Sequence, residues 1–152
     1  MSPSVSVTTT GKWETETHKA TDVRLYSADS EKIFLEFKPV REQNGKELQW
    51  VDWNCYDSVF VYQTDYNKLL VPALEKLFPL QDPDPLGWGM QDCFDATSMN
   101  WLGADKWNEY ISALEQSRET LNKEEQMFID TLLPMFRSFT EKSGIICVEG
   151  NL

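Results

Sequence analysis

The chain has 152 residues, 41% hydrophobic and 26% charged, which is one globular domain's worth and excludes wholesale disorder. Fourteen Lys and Arg against 25 Asp and Glu leave a net charge of −11, which argues against nucleic acid or an anionic membrane as the main partner. No run approaches the ~18 apolar residues of a membrane span, and Met1 to Thr10 lacks the charged start and apolar core of a signal peptide, so a cytoplasmic location is expected.

Residues 1–21 are polar and Thr-rich, a composition that suits a mobile N-terminal arm or an edge strand. Residues 22–152 read as a single α+β domain. From 22 the pattern has period two. Val23 and Leu25 alternate with Asp22, Arg24 and Tyr26, and Ile33, Leu35 and Phe37 alternate with Phe34, Glu36 and Lys38. Ser27 to Ser30 is a turn cluster, and Asn44-Gly45 is a hairpin signal because both residues tolerate positive φ. Strands are expected at 22–27, 32–38 and 47–53, forming an antiparallel sheet with Asn44-Gly45 joining the last two. Val23, Leu25, Ile33, Leu35 and Phe37 should face the helices. Residues 58–63 fit either a strand or the first turns of a helix, which period does not separate in so short a run.

Beyond Thr64, an expected N-cap, Leu69, Leu70, Leu74, Leu77 and Phe78 recur at helical spacing, with Pro72 kinking or restarting the helix and Pro79 ending it. A second helix is expected after Asp105, with Trp107, Tyr110, Ile111 and Leu114 on its apolar stripe. A third should start at Asn122, where Glu125 completes a capping box, and bend at Pro134. Ile145 to Val148 is read as a final, buried strand. The expected fold is a mainly antiparallel sheet of three to five strands with about three helices on one face.

The search for chemistry is mostly negative. His18 is the one histidine, set in the polar arm, so a histidine-dependent nucleophile and a multi-histidine zinc site are disfavoured. Cys55, Cys93 and Cys147 lack metal-site spacing and are read as small buried hydrophobes, and no glycine-rich phosphate loop is present. Asp82, Asp84, Asp92 and Asp95 could in principle ligate Ca²⁺, but the EF-hand spacing is missing and Pro83 and Pro85 stiffen the first pair. The expectation is no catalytic residue, no metal site and no cofactor.

Charge is unevenly placed. Residues 82–152 hold 13 acids and 5 bases, and the Pro- and Gly-rich segment 79–100 holds four aspartates and no base. Beside Trp88 and Trp101 these form an acidic rim with aromatic anchors, which suits a basic protein partner. The expected partner-binding residues are therefore Asp82, Asp84, Trp88, Asp92, Asp95 and Trp101.

Phe94-Asp95-Ala96-Thr97-Ser98-Met99-Asn100-Trp101-Leu102, followed by the helix carrying Trp107, Tyr110, Ile111 and Leu114, resembles a pattern in small acidic immunity proteins of bacterial polymorphic toxin systems. The resemblance implies a non-enzymatic protein that binds and blocks a cognate toxin. It implies no site residue, because those families share no catalytic residues and their binding surfaces diverge. Two alternatives stay open on sequence: a structural or scaffold domain of a larger assembly, and a hydrolase using carboxylates. The oligomeric state is left open.

Overall fold

The computed structural model describes residues 3–11, 19–40, 42–43, 46–47, 56–80 and 91–152. In chain order their elements are β1 (Ser6–Gly11), β2 (Lys19–Arg24), β3 (Phe34–Pro39), β4 (Glu42–Gln43), β5 (Lys46–Glu47), β6 (Ser58–Tyr62), α1 (Gln63–Leu69), α2 (Val71–Glu75), β7 (Met99–Gly103), α3 (Ala104–Arg118), α4 (Lys123–Lys142) and β8 (Ile145–Gly150). Six strands form one sheet in the order β1-β2-β6-β3-β8-β7, and β4 and β5 pair separately.

The class is α+β, as expected, but the sheet is larger than expected and mixed. β2 runs parallel to β6, pairing Ala20 with Ser58 through Asp22 with Phe60, while the other pairs are antiparallel. β2 and β3, expected as neighbours, have β6 between them. The cause is a buried tether. Asp65, in the first turn of α1, accepts the backbone N–H groups of Leu25 (2.9 Å), Tyr26 (2.7 Å) and Ser27 (3.3 Å). That draws the chain leaving β2 to the end of β6, and β3 then enters on the far side of β6. Asn44 and Gly45 lie outside the described residues, as do 48–53 of the expected third strand; β4 and β5 on either side pair Gln43 with Lys46.

Residues 58–62 are strand rather than helix. The fourth helix comes from Pro72. α1 ends at Leu69, and α2 restarts with Pro72 in its first turn, where a missing N–H leaves no helical bond unmade. Thr64 is not the N-cap; that position is Tyr62, and the Thr64 N–H and hydroxyl donate to the Glu31 carboxylate at 2.7 and 3.1 Å. Gly103 takes the cap expected of Asp105, which sits in the first turn of α3, where a carboxylate favours the helix dipole. The capping box at Asn122 forms as expected: Asn122 accepts from the Glu125 N–H at 2.8 Å, and Glu125 accepts from the Asn122 N–H at 3.2 Å. α4 continues through Pro134 as one helix.

One sheet face meets all four helices. Val23, Leu35, Phe37, Val59, Val61, Leu102, Ile146 and Val148 are buried there with Tyr66, Leu74, Trp107, Tyr110 and Phe136. Leu25 is buried and Ile33 half-buried against the same core. Two of these rings have their polar ends satisfied: Trp107 Nε1 donates to the Phe136 carbonyl at 2.8 Å and the Tyr110 hydroxyl to the Leu70 carbonyl at 3.0 Å. The opposite face carries a second cluster of Val40, Trp101, Ile145 and Cys147. No helix among the described residues is long and apolar enough to cross a membrane.

Candidate functional site

Strand β7 closes one edge of the sheet, and the acidic segment starts from that edge. Leu80 and Gln91 form a two-residue bridge, the Leu80 N–H donating to the Gln91 carbonyl at 2.8 Å and the Gln91 N–H returning at 3.3 Å. Leu80 is buried in the main core, so the bridge ties Gln91 to a fixed point of the fold. Gln91 then acts as a strand residue through its side chain. Its amide nitrogen donates to the Trp101 carbonyl at 2.7 Å and its amide oxygen accepts the Trp101 N–H at 2.8 Å. Both outward backbone groups of Trp101 are thereby paired, and this sheet edge is closed there to another strand.

The next turn is held in the same manner. Asn100, buried, accepts the Asp95 N–H at 2.8 Å and donates to the Asp95 carbonyl at 2.7 Å and the Val148 carbonyl at 2.9 Å. The Asp95 carboxylate accepts from the Thr97 N–H (2.8 Å) and hydroxyl (2.5 Å), a local Asx turn. The Thr97 hydroxyl, and after it the Thr97 N–H, hold the Asp95 carboxyl below the usual carboxylate range. Asp95 is exposed, so it stays charged while facing solvent. The polar residues Asp95, Thr97 and Asn100 therefore shape a hydrogen-bonded turn.

Of the expected site residues, Asp92 and Asp95 are exposed and three positions apart on this turn. Asp82, Asp84 and Trp88 lie outside the described residues. Trp101 is corrected: it is 3% exposed, on the second face beside Cys147, its partner across β7 and β8. Its ring packs with Val40, Ile145 and Cys147, because burying a ring that large outweighs leaving it at a rim. Cys147 is a buried small hydrophobe as expected, whereas Cys93 is exposed; Cys55 and His18 lie outside the described residues.

Sequence reasoning missed a charged cluster on the second face. Lys38, 1% exposed, donates to Glu36 at 3.0 Å and to Glu149 at 2.7 Å. Burial works against its ammonium, but the Glu36 carboxylate foremost, with Glu149, outweighs that and raises its pKa. Burial pushes the neighbouring Cys147 thiol up, so it stays protonated at neutral pH. A charged lysine beside a protonated thiol is the reverse of an activated nucleophile pair; the cluster pairs charge between two neighbouring strands, β3 and β8. Strict alternation sends Glu36 and Lys38 to solvent. The available signal was the unbroken apolar run of β8, which belongs to a strand covered on both faces.

Two other surfaces bear on binding. Glu109 and Glu115, acids of α3, are exposed and paired with Lys106 (2.9 Å) and Arg137 (2.7 Å). Between α2 and α3 lies an open groove of about 480 Å³ lined in part by Lys68, Pro72, Lys76 and Gln116. Its two lysines make it the opposite in charge of the acidic turn. Among the described residues, no three His, Cys, Asp or Glu side chains are grouped to hold a metal ion.

No protein-family model, curated protein or solved structure matches the chain.

Proposed function

We propose that this chain is a non-enzymatic binding protein that occludes a basic protein partner of the toxin class, with the segment 79–100 as its contact surface. The observation that carries the reading is the base-free segment 79–100 with its four aspartates, of which Asp92 and Asp95 are exposed just after the Leu80–Gln91 bridge and Asp82 and Asp84 lie between the bridged residues in sequence. The Thr97 N–H and hydroxyl hold the Asp95 carboxylate in place before encounter, so less ordering cost falls on binding. Asp92 and Asp95 are exposed there, and the Asp95 backbone is held on both sides by the buried Asn100 side chain. The mechanism is occlusion: carboxylates occupy the basic groups with which the partner would hold its own anionic substrate.

The test begins with isolation of the bound protein from the native source, which should be basic. Asp82→Asn with Asp84→Asn should slow association severalfold and flatten its salt dependence, because rim charges steer encounter more than they hold the complex. Trp88→Ala should weaken binding by about 2 kcal/mol as a ring anchor. If both variants remain folded and bind like wild type, the segment is not the interface, and the Glu109–Glu115 face of α3 takes its place.

A further inference from the structure

The two edges of the sheet are finished differently. At β7 the backbone groups of Trp101 are taken by the Gln91 side chain. At the other end β1 pairs with β2 and, among the described residues, no strand or side chain pairs with its outer edge. β1 is regular, six consecutive pairs from Ser6–Arg24 to Gly11–Lys19 without a bulge. Ser6 to Thr10 are exposed, Val7 at 51%. Natural edges are normally guarded by charge, proline, a bulge or a covering element. β1 has no charge or proline along its length, and residues 1–11 are without a charged side chain in a chain of net charge −11.

We propose that β1 is a self-association edge, at which a second copy of this chain adds its own β1 antiparallel about a two-fold axis and joins the two six-stranded sheets into one. The charge distribution selects this occupant. A basic partner's strand meets no acid on β1, and an acidic strand is repelled by the rest of the molecule. A copy of the Ser-Val-Thr-Thr-Thr strand places only uncharged residues opposite one another. On β2 behind it, Lys19 and Arg24 offset Asp22, so the ribbon is free of the excess acidity that would otherwise drive two copies apart. Thr–Thr rungs suit such a seam, and one already closes the β1–β2 pair, Thr9 and Thr21 hydroxyls lying 3.2 Å apart. The acidic turn at β7 lies five strand spacings away, roughly 24 Å, so both copies keep it clear.

Sedimentation velocity of the full chain, from micromolar to millimolar concentration and with reductant present so that exposed Cys93 forms no cross-link, tests this. Wild type should show a concentration-dependent dimer. Val7→Lys with Thr8→Lys, and separately Val7→Glu with Thr8→Glu, should each raise the dimer dissociation constant by roughly tenfold or more, since like charges face each other across the seam. An equal mixture of the two variants should dimerise again. Val7→Lys by itself, at an exposed position, serves if a double variant misfolds. Wild type that stays monomeric throughout, or a folded Lys variant that dimerises like wild type, overturns the proposal. If wild type is monomeric and the Lys variant instead loses a basic protein partner, the edge belongs to that partner, and the self-association reading fails while the binding reading stands.

Discussion

Asp65 shows how much topology one side chain can decide. Its carboxylate is fully buried and receives three backbone N–H groups from the chain that leaves β2. Asp65→Asn keeps the volume but turns one acceptor into an NH₂ group that faces an N–H donor. The expected cost is about 3 kcal/mol, since a buried donor is left unmade and a charged acceptor is lost. Urea denaturation measures it as a lower midpoint with unchanged slope. A loss under 1 kcal/mol, read against the ~1 kcal/mol of a single neutral hydrogen bond, would mean that the tether is solvated rather than structural. None of this was visible in the local sequence, where Asp65 reads as one more helix-start acid.

At the scale of elements, the β8–β7 pair is tightened by close backbone approach. The Gly150 N–H donates to the Ser98 carbonyl at 2.9 Å and the Leu152 N–H to the Ala96 carbonyl at 3.2 Å, so the strand end is laced to the acidic turn. A Cβ added at Gly150 would fall on the Ala96 carbonyl, a backbone atom that cannot swing aside. Gly150→Ala should therefore cost about 2 kcal/mol, in the range of overpacked sites. Gly103→Ala, where an added Cβ meets nothing, is the matched control and should cost under about 1 kcal/mol. Thermal denaturation of the two variants side by side checks the difference. Elements with local signals were legible in advance: the alternation of Leu35 and Phe37, the Asn122 capping box and the apolar run of β8. What was not legible depended on partners distant in sequence. The parallel pairing of β2 with β6, and the burial of Glu36, Lys38 and Trp101, follow from which strands meet, and period two carries no record of that. The acidic segment was legible as charge, but its Gln91 and Asn100 anchors were not, because an amide that completes a strand looks like any surface amide.

For the whole molecule, the excess of acids makes stability depend on pH in two opposed ways. Falling pH relieves self-repulsion of the −11 surface. Against that stand carboxyls whose folded pKa is depressed. Glu125 is lowered despite the opposing effect of its burial, through the Tyr26 hydroxyl (2.8 Å), the Asn122 N–H and Lys68 (3.1 Å). The Arg118 guanidinium lowers Asp130, and Thr97 lowers Asp95. A group depressed on folding contributes its full stability above its unfolded value, 4.5 for Glu and 3.8 for Asp, and loses it as pH falls through the folded value. Stability should hold or rise from pH 7 towards about 5 and fall steeply below about 4. Denaturation midpoints across that range check the shape, and Tyr26→Phe should make the acid side shallower by releasing one donor from Glu125.

The central place of β8 has a consequence for how the chain reaches its fold. It follows every other described element in the sequence, yet it lies between β3 and β7 and joins Leu35 to Gly150 across most of the chain. Until it arrives, β3 and β7 each wait with a bare edge, and Trp101 and Val40 of the second cluster lack Ile145 and Cys147. Contacts of such long sequence separation fold slowly, on the order of milliseconds to seconds, and leave unpaired edges open to neighbouring chains meanwhile. During synthesis the strands made first are thus held in suspense until β8 has emerged.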